Sequence, residues 1–327
     1  MKLRTEIFPE KSELKIKPED KIVTFGSCFA DNIAGKFIEY KFRTLKNPFG
    51  VLYNPVSIAN SVKIIYDKKL FSEKDLIFHQ GEYHSFYHHS SFSSDNPADV
   101  INRINAGISS AHDFIKGANL IVLTFGTAWV YEYIETNEVV SNCHKIPANK
   151  FNRRKIDVRE TTSAASRAIK LLKMINPELK ILLTISPVRH WKDGAVENQR
   201  SKATLILAAE KLVEECDNVF YFPSYEIVID DLRDYRFYSS DLVHPNNLAV
   251  EYIWEKFAEA YFPSETIAYL SEINKIKSAF NHKIRNRNAP ETQLFIESTI
   301  NKINEATNKY PHLNFAREMK RLLGEEN

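Results

Sequence analysis

The chain alternates short apolar segments with longer amphipathic segments, and this alternation limits the folds open to it. The apolar segments, each bounded by polar or turn residues, are 21–25, 42–46, 119–125, 180–186 and 218–222. Helical patterns begin near Asp31, Asn54-Pro55, Asn96-Pro97, Asp157, Ala195 and Pro245. Strands that alternate with helices predict an α/β fold with a mostly parallel five-stranded sheet and helices on both faces. Because ligands bind beyond the carboxyl ends of such strands, we expect the functional site at that edge.

Three regions break the alternation. Segments 76–93 and 129–145 resemble hairpins, which turn at Gln80-Gly81 and near Asn137, and we expect them to form walls around the site. From residue 264 onward apolar residues recur only at helical spacing. The sequence therefore predicts an α/β domain over 1–263 and a helical appendage over 264–327. The appendage is expected to pack on the core or on a second copy of the chain, as in a homo-oligomer.

Composition excludes several classes of protein. The formal net charge is only +2, which argues against a nucleic-acid binder held by phosphate contacts. The amino terminus lacks the apolar segment of a signal peptide, and no window has the roughly 20 apolar residues of a membrane span. The chain has three cysteines, Cys28, Cys143 and Cys216, at spacings that fit no zinc motif. These features predict a cytoplasmic protein with free thiols.

The string FGSCFA at 25–30 places a serine and a cysteine between the first predicted strand and the first helix. No phosphate-binding glycine pattern follows Gly26, and the chain has only 9 glycines, so a nucleotide site is disfavoured. A nucleophile would need a base, and Asp241 and His244 stand before another predicted helix, at the same edge. By itself the Asp-x-x-His pattern is equally typical of a helix cap beside an exposed histidine.

Several strings together resemble the GSCFA family of the SGNH/GDSL hydrolase superfamily. They are GSCFA (26–30), NPFGVLYNP (47–55), LTFGTAWVY (124–132), NCHKIP (142–147), SPVRHWKDG (186–194) and YRFYSSDLVHP (235–245). The resemblance covers about residues 20 to 262. It implies a flavodoxin-like three-layer α/β/α sandwich and a serine hydrolase that needs no metal or other cofactor.

The resemblance also implies roles for individual residues. The nucleophile maps to Ser27, the general base to His244 and the orienting carboxylate to Asp241. The oxyanion hole maps to the backbone of Ser27 and Gly50. Superfamily members usually carry an asparagine after the third strand as a further donor, and here Thr127 occupies that position, so Asn47 or backbone amides are the alternative donors.

Further candidates line the predicted edge of the sheet. We expect five residues to contact substrate: His84, Trp129, His144, Arg189 and His190. His84 and His144 lie in or beside the hairpins, and Arg189 and His190 follow the fourth predicted strand. A guanidinium such as that of Arg189 suits an anionic or polar group. Cys28 is the stronger intrinsic nucleophile, but neighbouring side chains point apart at such a turn, so we expect it under the turn.

The sequence thus predicts a serine esterase or acyl hydrolase that acts on a small-molecule or glycan ester. The base would lose its function when His244 is protonated, so activity should fall at acidic pH. Three alternatives stay open at this point. They are an acyltransferase on the same fold, a non-catalytic module that binds a glycan or metabolite, and a scaffold whose helical tail recruits partners.

Overall fold

The computed structural model describes residues 4–281 and 286–324 and has the predicted α/β architecture. The strands are β1 (Lys21–Gly26), β2 (Arg43–Lys46), β3 (Ile77–His79), β4 (Glu82–His84), β5 (Leu120–Phe125), β6 (Trp129–Tyr133), β7 (Glu138–Val140), β8 (Phe151–Lys155), β9 (Lys180–Ile185) and β10 (Val219–Phe222). The helices are α1 (Cys28–Glu39), α2 (Pro55–Tyr66), α3 (Pro97–Lys116), α4 (Val158–Ile175), α5 (Gly194–Glu215), the single turn α6 (Ser224–Glu226), α7 (Asn247–Tyr261), α8 (Ser264–Asn281), α9 (Pro290–Lys309) and α10 (Ala316–Leu323).

The central sheet has five parallel strands in the order β10-β9-β5-β1-β2. Taken along the chain this is the 2-1-3-4-5 order of flavodoxin-like sheets, so the predicted fold is confirmed. The chain leaves β1 toward β2 on one side and then returns to β5 on the other side. The direction of winding therefore reverses at β1, and a crevice opens at the carboxyl ends of β1 and β5.

Helices cover both faces of this sheet because successive strand residues point to opposite sides. Val23 and Phe25 belong to one buried cluster, which α2, α3, α4 and α5 complete. Ile22 belongs to the other, which α1, α7 and the carboxyl-terminal helices complete. The result is the three-layer sandwich expected from the sequence.

The two predicted hairpins form, but the second is larger than expected. In the first, β3 and β4 pair around Gln80-Gly81. In the second, β6 pairs with β7 and also with β8, a strand that the sequence analysis did not predict. The polar composition of β8, Phe-Asn-Arg-Arg-Lys, hid it. The last helix of the α/β part begins at Asn247 rather than at Pro245, because Asn246 caps it by accepting from Ala249 N.

The carboxyl-terminal helices pack on their own core. Tyr269 of α8 is fully buried, and its hydroxyl donates to the carbonyl of Tyr40 at 2.7 Å. Thr266 donates to the carbonyl of Ile16 at 2.8 Å. A tail packed in this way counts against the scaffold hypothesis. Residues 1–3, 282–285 and 325–327 of the predicted domain and appendage lie outside the described residues.

The turn from β1 into α1 requires a glycine. Gly26 has a φ of +144°, and a Cβ there would lie 2.2 Å from the carbonyl oxygen of Thr124 on β5. The contact is with backbone inside the sheet, so it cannot be relieved by moving a side chain. The side chain of Asn47 fixes the same turn, since its Oδ1 accepts from Gly26 N at 2.9 Å and its Nδ2 donates to Asp31 at 2.6 Å.

We predict that Gly26→Ala lowers the free energy of unfolding by about 3 kcal/mol or more, because it combines a strained backbone with a steric overlap. Gly35→Ala in the same helix region is the matched control. A Cβ at Gly35 meets no heavy atom within 4 Å, so this substitution should stabilise the helix by about 0.5 to 1 kcal/mol. Urea unfolding followed by circular dichroism measures both values, and equal effects of the two substitutions would contradict the prediction.

Candidate functional site

A cavity of about 560 Å³ lies beyond the carboxyl ends of β1, β5 and β9. Its wall includes residues that follow these strands, residues of the β6–β8 sheet and residues of the loop before α7. They include Ser27, Cys28, Tyr53, His89, Thr127, Trp129, Arg153, Arg189, His190 and His244. The crevice predicted from the winding of the sheet therefore contains the two segments that carry the proposed nucleophile and base.

Ser27 lies at the amino end of α1, directly after β1. Its side chain is almost fully buried and caps the helix, with Oγ accepting from Phe29 N at 3.3 Å. The first N–H groups of a helix have no partner within the helix, and the helix dipole makes this end positive. Cys28 is the first helical residue, so its N–H is such a group. A negative charge that forms at Ser27 Oγ or on an atom bonded to it would be stabilised here.

Cys28 also lines the cavity, so the expectation that it lies under the turn is not met. It is half-buried, and its sulfur lies 3.8 Å from the hydroxyl of Tyr53. Burial, together with the neighbouring Cys28, raises the pKa of Tyr53 above its usual range. The cavity therefore contains a second nucleophilic side chain, which directly follows Ser27 in the chain.

His244 and Asp241 form a hydrogen-bonded pair. His244 Nδ1 lies 2.7 Å from Asp241 Oδ2, and Asp241 Oδ1 accepts from the backbone N–H of Val243 and of His244 at 2.9 and 3.0 Å. The two backbone bonds, followed by the bond from the His244 ring, lower the pKa of Asp241 to about 2. The carboxylate therefore stays charged at neutral pH and holds the imidazole with Nε2 free. Both side chains are about half exposed.

Ser27 and His244 line one cavity, but within the described ranges no hydrogen bond joins Ser27 Oγ to His244. The Ser27 hydroxyl oxygen instead accepts from Phe29 N. Catalytic hydrogen bonds are commonly long or misaligned without substrate and form when substrate enters, so the geometry is compatible with a base role for His244.

Three of the predicted oxyanion donors have partners elsewhere. The backbone N–H of Ser27 donates to Thr124 O at 3.3 Å. Asn47 uses its side chain to hold the Gly26 turn and Asp31, and its backbone N–H donates to Thr24 O. Gly50 N–H donates to Asn47 O at 2.7 Å. Asn47 and Gly50 lie outside the cavity lining, so the structure places both in the support of the β1–α1 turn.

Thr127 lines the cavity, and both its hydroxyl and its backbone N–H have partners within the protein. Its hydroxyl lies 3.1 Å from Ser201 Oγ and accepts from Trp129 N at 3.1 Å. Its backbone N–H donates to the carbonyl of Tyr53 at 2.9 Å. The structure therefore gives Thr127 a structural role between β5 and α5. The position at which the resemblance leads one to expect an asparagine donor is thus filled by a threonine that bonds to the protein itself.

His84 and His144 lie outside the cavity lining, stacked on each other with ring centroids 4.5 Å apart. His84 uses both ring nitrogens inside the hairpin, on Ser93 Oγ and the carbonyl of His79. His144 Nε2 bonds the carbonyl of Ser85 at 2.8 Å, and burial lowers the pKa of His144 to about 4. Their contacts therefore stabilise the hairpins, and the geometry offers no support for the expected contact with substrate.

Trp129 and Arg189 do line the cavity. The Arg153 guanidinium lies over the Trp129 ring at 4.2 Å. Arg189 lies over Tyr238 and Trp191, at 4.6 and 5.0 Å, and donates to the carbonyl of Leu242. Arg189 therefore also orders the loop that carries Asp241 and His244.

His190 lines the cavity next to Ser27. A Cβ placed on Gly126 would lie 3.2 Å from His190 Nε2 and 3.3 Å from Ser27 Cβ, so both groups adjoin one point. His190 Nε2 is buried without a hydrogen-bond partner. Burial, aided by the positive charges of Lys202, His244 and Arg153, lowers the pKa of His190 to about 3.

Lys202 is fully buried behind this site. Its ammonium donates to the carbonyls of Gly126 and Ser186 at 2.6 Å each, so it ties together the ends of β5 and β9. Burial lowers the pKa of Lys202 to about 7. The signal in the sequence was its helical spacing from Asn198 and Leu205, which share its buried face of α5.

We predict that Lys202 makes stability depend on pH. Its folded pKa lies below the unfolded value, so the unfolded chain holds more protons between pH 7 and 10 and stability rises with pH there. Relative to Lys202→Met, the wild-type protein should gain about 1.4 kcal/mol of unfolding free energy per pH unit between pH 7.5 and 9.5. Lys211→Met on the exposed face of α5 is the control and should show no such slope. If the unfolding free energies of wild type and Lys202→Met changed with pH in the same way, the lowered pKa of Lys202 would be contradicted.

The chain belongs to the GSCFA family, as the sequence predicted. The family model, described as GSCFA family, matches residues 21–257, and a second one, described as GSCFA domain protein, C-terminal domain, matches residues 273–325. No curated protein matches the chain. Among the described residues no helix is long and apolar enough to cross a membrane, and no group of three or more His, Cys, Asp or Glu could hold a metal ion.

Carbohydrate esterases are among the solved structures that resemble the chain. A carbohydrate esterase family 3 from Talaromyces cellulolyticus is 7% identical, with 77% of this chain and 99% of that chain covered and a TM-score of 0.36. A Clostridium thermocellum family 3 carbohydrate esterase is 9% identical, with 77% and 98% covered and a TM-score of 0.35. An acetyl xylan esterase from Butyrivibrio proteoclasticus is 10% identical, with 75% and 66% covered and a TM-score of 0.35. At these scores we draw nothing about this chain's reaction from them.

Proposed function

We propose that this protein is a serine esterase of the SGNH type that hydrolyses a polar ester. Ser27 Oγ attacks the ester carbonyl while His244 Nε2 takes the hydroxyl proton. The tetrahedral intermediate collapses, His244 returns the proton to the leaving alcohol, and an acyl-enzyme on Ser27 remains. Water then attacks the acyl carbon while His244 takes one of its protons; the bond from carbon to Ser27 Oγ breaks, His244 returns the proton to Ser27 Oγ, and the carboxylic acid leaves.

The observation that carries the proposal is the meeting of two independent features in one cavity. Ser27 stands at a positive helix end directly after β1, and His244 is held through Nδ1 by a charged Asp241 at 2.7 Å. The aspartate fixes the tautomer that leaves Nε2 able to accept a proton, and it stabilises the imidazolium that forms. A binding module would need neither the oriented imidazole nor the placement of the serine at the helix end.

The cavity wall favours a polar ester. Arg153 and Asp193 form a salt bridge in that wall, and Lys192, whose ammonium donates to the hydroxyl of Tyr131 at 2.7 Å, also lines the cavity. Trp129 offers an aromatic surface on which a sugar ring can stack. A long acyl chain would bury these charged groups away from water, at a cost in binding free energy.

Labelling with a fluorophosphonate probe tests the nucleophile, because such probes phosphonylate activated serines. We expect one adduct on Ser27, located by mass spectrometry of peptides, and none in Ser27→Ala. Cys28→Ala is the matched control, since it removes the neighbouring thiol and should leave the Ser27 adduct in place. An adduct on any other residue, or no adduct on the wild-type protein, would contradict the proposal.

The base is tested in the same assay. His244→Ala should slow phosphonylation of Ser27 by about a thousandfold or more, because the hydroxyl then has no proton acceptor. A rate that is unchanged by His244→Ala would show that another group activates Ser27.

A further inference from the structure

We propose that His190 is the oxyanion donor of this site, with the N–H on its Nε2 hydrogen-bonding the negatively charged oxygen formed when Ser27 attacks an ester. The proposal rests on the proposed function, since it assigns a second catalytic histidine to the same reaction. It replaces the side-chain donors expected from the sequence by a histidine that was expected only to contact substrate.

The position of His190 fits this role. Its Nε2 and Ser27 Cβ both lie within 3.3 Å of one point, the empty Cβ position of Gly126. Both side chains line the cavity, and the His190 ring meets the Tyr53 ring edge to face with centroids 5.6 Å apart. A carbonyl carbon bonded to Ser27 Oγ would thus have its oxygen in reach of the His190 ring edge.

The hydrogen bonds of His190 leave this nitrogen for a ligand. Nε2 is buried and has no partner, although buried polar atoms in native proteins are almost always hydrogen-bonded. The backbone of His190 is anchored, because its N–H donates to the side chain of the buried Asn198 at 2.9 Å, and the ring packs edge to face on Tyr53. The unpaired nitrogen beside Ser27 is therefore available to hydrogen-bond a substrate atom.

The charge state of the ring separates its role from that of His244. Burial, and after it the charge of the neighbouring Lys202, lowers the pKa of His190 to about 3, so the ring is neutral at physiological pH. A neutral imidazole donates one N–H and stabilises an oxyanion without having to lose a proton first. His190 is a poor base in this state, whereas His244 is paired with the charged Asp241.

The expected donors have partners elsewhere in the protein, whereas His190 Nε2 has none. The Thr127 hydroxyl is bonded to Ser201, the Asn47 side chain to Gly26 and Asp31, and the Gly50 N–H to Asn47. The N–H of Cys28 at the first position of α1 supplies one donor. His190, in the loop that follows β9, supplies a second donor.

Two substitutions of similar size test the donor. His190→Gln retains an N–H donor with comparable reach, and His190→Leu has none. We expect His190→Leu to slow fluorophosphonate labelling of Ser27 by about 100- to 1000-fold, and His190→Gln to retain the rate within about tenfold of wild type. His112→Gln, on α3 and outside the cavity, is the matched control and should leave the rate unchanged. Equal rates for the Gln and Leu variants, or an unchanged rate for His190→Leu, would overturn the proposal.

Nitrogen-15 NMR of the wild-type protein gives a second test that does not depend on the stability of a variant. His190 should remain neutral with its proton on Nε2 from pH 8 to pH 5, and its Nε2 resonance should move when Ser27 is phosphonylated. A proton on Nδ1 alone, or a protonated ring at pH 5, would overturn the role of His190 while labelling of Ser27 still supports the esterase. A wild-type protein that is not labelled on Ser27 would overturn both.

Discussion

The site depends on the turn between β1 and α1, where the chain must pass against β5 without a side chain. Gly26 meets this requirement, since any Cβ would overlap the carbonyl of Thr124. The same turn delivers Ser27 to the helix end and is fixed from the next loop by Asn47. A single steric constraint within the sheet therefore determines where Ser27 lies, and Asn47 holds the turn that carries it.

The winding of the sheet determines what else reaches this point. The chain reverses direction at β1, so the residues that follow β1, β5 and β9 meet at one edge, and the loop before α7 closes over them. This much follows from the sequence, because alternating apolar and amphipathic segments specify a parallel sheet, and a parallel sheet specifies its ligand-binding edge. For that reason the sequence alone was enough to assign Ser27, Arg189, His190 and His244 to one edge of the sheet.

Side-chain partners could not be predicted in the same way. Asn47 and Thr127 carry donors that suit an oxyanion, but each makes its bonds to neighbours that are distant in sequence or fixed by the turn. His84 stacks on His144 because two hairpins meet, and β8 pairs with β6 despite its charged sequence. These contacts are set by tertiary packing, which residue spacing along one chain does not encode.

The measurement that tests the account most directly is a crystal structure of the protein after reaction with a fluorophosphonate. We predict a phosphorus–oxygen bond to Ser27 Oγ, with the phosphoryl oxygen within hydrogen-bond distance of Cys28 N–H and His190 Nε2, and with His244 still bonded to Asp241. An adduct on Cys28, or a phosphoryl oxygen that points away from both donors, would contradict the arrangement of nucleophile, base and oxyanion site described for this cavity.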